Sequence, residues 1–160
     1  MKILVYGVVA IGWLVNGCSP TKPNALDVLG TTDVSVGDLK VRAWIADSND
    51  ERMKGLMFVT AEQLAPHPDG AERGMLFIFQ REQATGFWMR NTIVDLDIAF
   101  IRSDGRIVQT FTMAALDENS YTPRASYRYA LEVRAGTFAR LGIAEGDTVE
   151  IPDSVLKTAR

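Results

Sequence analysis

An uncharged apolar run that stops at the chain's single cysteine most strongly constrains how this sequence can fold. Residues 3–15 carry no charge and follow Met-Lys, so a short cationic start precedes a short apolar segment. A helix needs about 20 apolar residues to cross a bilayer, whereas the apolar part of a secretory signal peptide is shorter. We therefore interpret residues 1–17 as a signal peptide that lies outside the folded domain.

The residues that end the apolar run resemble the cleavage site of bacterial lipoproteins. Val15 stands at position −3, Gly17 at −1, and Cys18 follows as the thiol that would receive diacylglycerol, although Asn16 is less usual at −2. Two other interpretations stay open, namely cleavage by ordinary signal peptidase and a buried N-terminal helix with a free thiol. We favour lipidation because an isolated cysteine after a small residue is the nucleophile that lipid attachment requires, and no second cysteine can form a disulfide with it.

The segment after Cys18 predicts a tether to a membrane. Residues 19–25 are polar and contain two prolines, which is typical of a linker. We therefore assign residues 18–32 to the tether and residues 33–160 to a single domain. Several acyl chains on one cysteine would hold the protein firmly to the membrane. Ser19 in place of aspartate predicts, by analogy with enterobacterial sorting, an outer-membrane location facing the periplasm, with the inner membrane as the open alternative.

Composition excludes several classes of function. Hydrophobic residues make up 47% and charged residues 23% of the 160 residues, as in an ordinary folded domain. The net charge of −3 argues against nucleic acid as a partner, because binding phosphates calls for a basic face. Since His67 is the only histidine and Cys18 is assigned to lipid, we predict no metal site, no cofactor and no serine or cysteine catalysis.

Short stretches of strand-like sequence predict a β-rich fold. Residues 39–46 alternate apolar and polar side chains, and Asp104-Gly105 predicts the turn of a hairpin between two further strands. The other predicted strands are 75–79, 87–89, 96–101, 107–112, 127–133 and 148–151, and the predicted helices are 49–53 and 137–141. We expect a mostly β (α+β) single domain, either a small curled antiparallel or mixed sheet or a barrel-like form.

Carboxylates are the remaining candidates for acid/base chemistry. Asp95 and Asp97 lie two residues apart on a predicted strand, and Glu132 lies on another. Neighbouring carboxylates can split their pKa values or bind a hard cation. The alternative, which we favour, is that Asp97 accepts hydrogen bonds at the start of a strand and that Asp95 is solvated, because burying an unpaired charge is costly.

The string Phe87-Trp-Met-Arg-Asn-Thr92 is the most unusual in the chain. In an extended segment Trp88 and Arg90 share one face, where they could hold a planar or anionic group with Asn91 close by. The alternative, which we favour, is that Phe87 and Met89 fill the core while Asn91 and Thr92 fix the next turn.

Several strings together resemble one protein family. They are Glu51-Arg52, Gly55-Leu-Met57, Gly74-Met-Leu-Phe77, Phe87-Trp-Met89, Asn91-Thr92, Leu96-Asp-Ile98 and Ala130-Leu-Glu132. In this order they are similar to the bacterial and archaeal family called domain of unknown function 192, over roughly residues 38–152. The resemblance implies a compact β-rich domain that is often exported, and it implies no reaction. Asp95 stands where the family typically has proline, which lowers the weight of Asp95 and Asp97 as a catalytic pair.

These observations lead to two main functional hypotheses. The favoured one is a lipid-anchored, non-enzymatic envelope module that binds a small ligand or an envelope protein, with Trp88, Arg90 and Asn91 as contacts and Asp97 and Glu132 as further candidates. The alternative is a hydrolase of envelope polymers with Asp97 and Glu132 as acid and base. A purely structural role is a third possibility.

Cys18→Ser should abolish fatty-acid labelling of the chain and release the domain from the membrane, because serine lacks the thiol that receives the lipid. Metabolic labelling followed by membrane fractionation measures both effects. Labelling that persists in the variant would contradict the lipoprotein interpretation.

Overall fold

Six strands form one sheet in the computed structural model of the chain, which describes residues 24–158. The strands are β1 (Thr31–Val36), β2 (Leu39–Ala46), β3 (Glu72–Gln83), β4 (Leu96–Ile101), β5 (Ile107–Met113) and β6 (Tyr127–Arg134). The helices are α1 (Asn49–Lys54), α2 (Thr137–Leu141) and α3 (Asp153–Thr158), and a 3-10 turn spans Leu26–Val28. The predicted signal peptide, Cys18 and the first part of the predicted tether lie outside the described residues.

The sheet is mixed and open. Its strand order is β1-β2-β3-β6-β4-β5, with β2 and β3 parallel and every other neighbouring pair antiparallel. Two hairpins, β1–β2 and β4–β5, therefore stand at opposite sides of a β3–β6 centre. The prediction of a small mixed sheet in a mostly β domain is confirmed, and the sheet does not close into a barrel.

Two predicted strands are absent as strands from the described part of the chain. Residues 148–151 make only isolated bridges, from Thr148 to Arg106 and from Glu150 to Ser35. This segment therefore contacts both edges of the sheet without adding a strand to it. Residues 87–89 likewise make one bridge, from Phe87 to Tyr121. Both segments are too irregular in hydrogen bonding to form a ladder, although their side chains are as apolar as those of true strands.

Helices α1 and α2 lie where the sequence predicts helices, whereas α3 has no counterpart among the predicted ones. The N-terminus of α1 has a capping box, in which the Ser48 hydroxyl accepts from the Glu51 amide at 3.3 Å and the Glu51 carboxylate accepts from the Ser48 amide at 2.9 Å. Gly55 ends this helix with a positive φ of 46°, which favours glycine. Within residues 24–158 no helix is long and apolar enough to cross a membrane.

The sheet carries a hydrophobic cluster on each face. One face, which we call the α2 face, packs against Phe138 of α2 and Val155 of α3. The other, which we call the loop face, is covered by residues 55–64 and 87–94, and Leu26 of the 3-10 turn is buried in the same cluster. The described end of the predicted tether therefore packs on the domain, and β1 begins at Thr31.

Gly74→Ala should destabilise the fold, because β3 and β6 approach closely at this position. A Cβ on Gly74 would lie 2.3 Å from the Glu132 carbonyl oxygen and 3.0 Å from Val133 Cγ1. We expect a loss of about 1–3 kcal/mol in the free energy of unfolding, the usual cost of overpacking. Urea unfolding measures it.

Gly30→Ala is the matched control for this variant. Its Cβ would meet Ile45 Cδ1 at 3.7 Å, an ordinary contact, so we expect little change in stability. Equal stability of the two variants would contradict the close approach of β3 and β6.

Candidate ligand-binding groove

A groove crosses the loop face between α1 and residues 83–88. Its volume is about 520 Å³, and its lining residues are Asn49, Arg52, Met53, Phe79, Gln83, Thr85, Gly86, Phe87 and Trp88. A narrow cavity of about 40 Å³ adjoins it and shares Arg52, Met53, Phe87 and Trp88 with it. Thr92 and Glu132 line this narrow cavity.

Arg52 fixes α1 against the sheet and forms one wall of the groove. Its Nη1 donates to the Ile78 carbonyl at 2.8 Å and to the Asp47 carbonyl, and its Nη2 donates to Asn49 Oδ1 at 2.6 Å. The guanidinium also lies over the Phe79 ring, 5.2 Å from its centroid. Among residues 24–158 it has no ion-pair partner, so its charge is available to a ligand in the groove.

Aromatic rings form the floor of the groove. Phe87 contacts Phe77 edge-on with ring centroids 4.9 Å apart, and its ring also lies near Phe79 and Phe100. Tyr127 lies behind Phe79 and donates its hydroxyl to the Thr85 carbonyl at 2.8 Å. Burial raises the pKa of this hydroxyl to about 12, so it stays protonated. The ring packing gives the groove a rigid apolar floor.

Trp88, Arg90 and Asn91 lie on the loop whose first residues line the groove. Trp88 is 41% exposed, and the Arg90 guanidinium stacks on it 5.4 Å from the ring centroid, as their shared face predicts. Asn91 has φ of 59°, and its carbonyl accepts from the amide of Phe58, which has φ of 61°. Arg90 and Asn91 line neither the groove nor the narrow cavity, so of these three residues only Trp88 faces the enclosed space.

Glu132 lies at the base of the narrow cavity. It pairs with Met75 of β3 and Ile98 of β4, both members of the loop-face cluster, and its side chain is buried. Burial is the sole cause that raises the pKa of the Glu132 carboxyl from 4.5 to about 8; the described residues contribute neither a hydrogen bond nor a charge to the shift. This carboxyl is therefore mostly protonated at neutral pH and can donate a hydrogen bond into the cavity.

Asp97 lies on the opposite face of the sheet. Its carboxylate accepts from Thr112 Oγ1 at 2.7 Å and from the Phe138 amide at 2.9 Å, which fixes the first turn of α2. The prediction of a structural carboxylate at a strand start is therefore confirmed. Since Asp97 and Glu132 face opposite sides, the hypothesis that they act together as acid and base is wrong. Asp95 is exposed and accepts from the Ala115 amide at 2.7 Å.

Sequence reasoning predicted two of the residues that converge here, Trp88 and Glu132, and overlooked Arg52 and Phe79 as lining residues. Arg52 could have been found from the Glu51-Arg52 string, which is part of the family resemblance. Phe79 had a weaker signal, because Phe77 and Phe79 alternate on β3 and so share a face.

Comparison with known families identifies the chain. Residues 32–151 match the model of the family DUF192, described as "Uncharacterized ACR". The chain belongs to the DUF192 family. The resemblance to domain of unknown function 192 is therefore confirmed, over well more than half of the sequence. A comparison with curated proteins gives no match.

Two solved structures resemble this DUF192 chain. A protein of unknown function from Novosphingobium aromaticivorans DSM 12444 is 32% identical with a TM-score of 0.69, over 81% of this chain and 91% of that one. A protein from Sinorhizobium meliloti 1021, described as a "putative transcription regulator", is 33% identical with a TM-score of 0.66, over 76% of this chain and 94% of that one. The overall fold is thus shared with two experimentally solved structures.

Glu132→Gln should gain stability relative to the native chain as pH rises. The folded chain keeps the Glu132 proton to a pKa of about 8, whereas the unfolded chain loses it near 4.5, so unfolding releases a proton between these values. The native free energy of unfolding therefore falls through this window and levels off above it. Each pKa unit corresponds to about 1.4 kcal/mol, so the difference between variant and native chain should grow by several kcal/mol.

Urea unfolding across this pH range measures the difference. Glu118→Gln is the control, because it makes the same substitution at an exposed side chain outside the groove, and its difference should change much less over this pH range. A flat difference for Glu132→Gln as well would contradict the buried, protonated carboxyl.

Proposed function

We propose that this DUF192 protein is a lipid-anchored, non-enzymatic module of the cell envelope that binds a small ligand in the groove. The apolar leader and the lone Cys18 support the anchor, and Ser19 supports an outer-membrane location facing the periplasm. The Sinorhizobium protein is described as a transcription regulator. A net charge of −3 disfavours binding to nucleic acid, so a role in transcription is not proposed for this chain.

The buried Glu132 carboxyl carries this proposal. A polar group buried without a hydrogen bond costs free energy, and this one opens on a cavity instead of packing against a partner in the described chain. Such strongly shifted carboxyls concentrate at functional sites. A ligand atom that accepts a hydrogen bond from Glu132 would remove the cost.

The shape of the site defines the class of ligand. The narrow cavity of about 40 Å³ has room for one small polar group, since a water molecule occupies about 30 Å³ in the liquid. The wider groove offers Phe79, Phe87 and Trp88 to an apolar or planar body. Arg52 beside these rings favours a neutral or anionic body over a cationic one. We therefore expect a planar or apolar molecule with a hydrogen-bond acceptor at its tip.

Benzamide serves as a minimal probe, because it joins a planar ring to a neutral carbonyl acceptor. We expect saturable binding to the full chain in detergent micelles with a Kd on the order of 1 mM at neutral pH, as the small size of the probe allows. Binding should weaken above pH 8 as Glu132 loses its proton. Chemical-shift changes of the Glu132 and Thr92 amides in nuclear magnetic resonance spectra measure it.

Three comparisons test whether the groove is the site. Trp88→Ala should weaken benzamide, Glu132→Gln should keep binding but remove its pH dependence, and Glu118→Gln should change neither. Benzylamine, which carries a cation on the same ring, should bind more weakly at neutral pH. Chemical-shift changes that do not saturate with benzamide would refute the proposal. So would benzamide binding whose strength and pH dependence are the same in Trp88→Ala and Glu132→Gln as in the native chain.

A further inference from the structure

Exposed apolar side chains gather around the mouth of the groove. Among residues 24–158 the large exposed hydrophobic residues are Val28, Met53, Trp88, Ile93 and Leu116. Four of them, Met53, Trp88, Ile93 and Leu116, lie on α1 and on the loops beside the narrow cavity, and we call these four the apolar rim. Exposed apolar residues that lie together on one side of a domain are a feature of interaction surfaces, whereas single ones are ordinary.

Hydrogen bonds hold the loops of the apolar rim together. The Leu116 amide donates to the Thr92 carbonyl at 2.9 Å, and the Met89 amide donates to the Asp117 carbonyl at 2.8 Å. Thr92 lines the narrow cavity together with Met53 and Trp88. The loops that carry Trp88, Ile93 and Leu116 therefore lie at the same end of the domain as α1.

The chain enters the domain beside this rim. The Asn24 side-chain amide donates to the Gly55 carbonyl at 2.7 Å and to the Met57 carbonyl at 3.0 Å, directly after α1. Asn24 lies six positions after Cys18 in the sequence, and even a fully extended chain of that length spans only roughly 20 Å. A lipid on Cys18 would therefore keep the C-terminal end of α1 close to the bilayer.

We infer that the apolar rim rests on the interface of the bilayer that holds Cys18, so that the groove opens toward the membrane. This inference rests on the lipid anchor of the proposed function. Tryptophan and arginine side chains suit the membrane interface, because each joins an apolar body to a polar end. The contact can be weak, since the anchor gives it a high effective concentration.

Charge on the rim indicates the kind of lipid. Helix α1 carries Asp50 and Glu51 beside Arg52 and Lys54, so its charges balance. We therefore expect contact with zwitterionic phosphatidylcholine that does not depend on salt concentration. A protein partner is the competing occupant, and it predicts no contact between the rim and pure lipid.

Tryptophan fluorescence tests the inference on the processed chain, purified from membranes and reconstituted into phosphatidylcholine vesicles. Trp13 is lost with the leader, so Trp44→Phe leaves Trp88 as the only tryptophan. Lipid brominated near its headgroup should remove about half of the Trp88 emission, compared with unbrominated lipid. In the reciprocal variant Trp88→Phe, the half-buried Trp44 should lose much less.

Further variants separate the rim from the anchor. Met53→Ser combined with Leu116→Ser should lower the quenching of Trp88, whereas Val28→Ser, equally apolar and exposed but outside the rim, should not. Vesicle binding without quenching of Trp88, or equal quenching of Trp44, would overturn the inference alone. Failure of the processed chain to float with vesicles would overturn the anchor and the inference together, while benzamide binding would still test the groove.

Discussion

Strand β6 pairs with β3 along one edge and with β4 along the other, and the rest of the structure depends on this pairing. Glu132 lies between Met75 of β3 and Ile98 of β4, and Gly74 lets β3 approach the β6 backbone closely. Side chains alternate between faces along a strand, so a shift of one residue would exchange the loop face and the α2 face. Two hydrophobic clusters on the sheet resist such a shift, and they thereby hold Glu132 in an apolar environment.

The same alternation gives two buried carboxylates opposite roles. Asp97 points to the α2 face, where a hydroxyl and a backbone amide donate to it, so its hydrogen bonds offset the cost of burial. Glu132 points to the loop face and has no such donor among the described residues, so burial raises its pKa to about 8 and it holds its proton. One acid therefore fixes a helix, and the other is a hydrogen-bond donor beside a cavity.

The sequence was informative where local chemistry decides structure. The period of two in β2 and the Asp104-Gly105 turn each depend on near neighbours, and both were predicted. The parallel pairing of β2 with β3 joins distant segments and has no local signal. Residues 87–89 were predicted as a strand because their composition matches one, yet the segment makes only one isolated bridge, from Phe87 to Tyr121. Glu132 was a candidate from its residue type, but only the pairing shows which face it occupies.

The connections around α1 couple the N-terminal segment to the groove. Asn24 binds the carbonyls that follow α1, and Arg52 binds α1 to β3 through the Ile78 carbonyl. Both links use backbone acceptors, whose positions the sheet and the helix end determine, so neither depends on the rotamer of a partner side chain. The N-terminal segment is therefore fixed to the residues that end the helix of one groove wall, and that helix is itself fixed to the sheet.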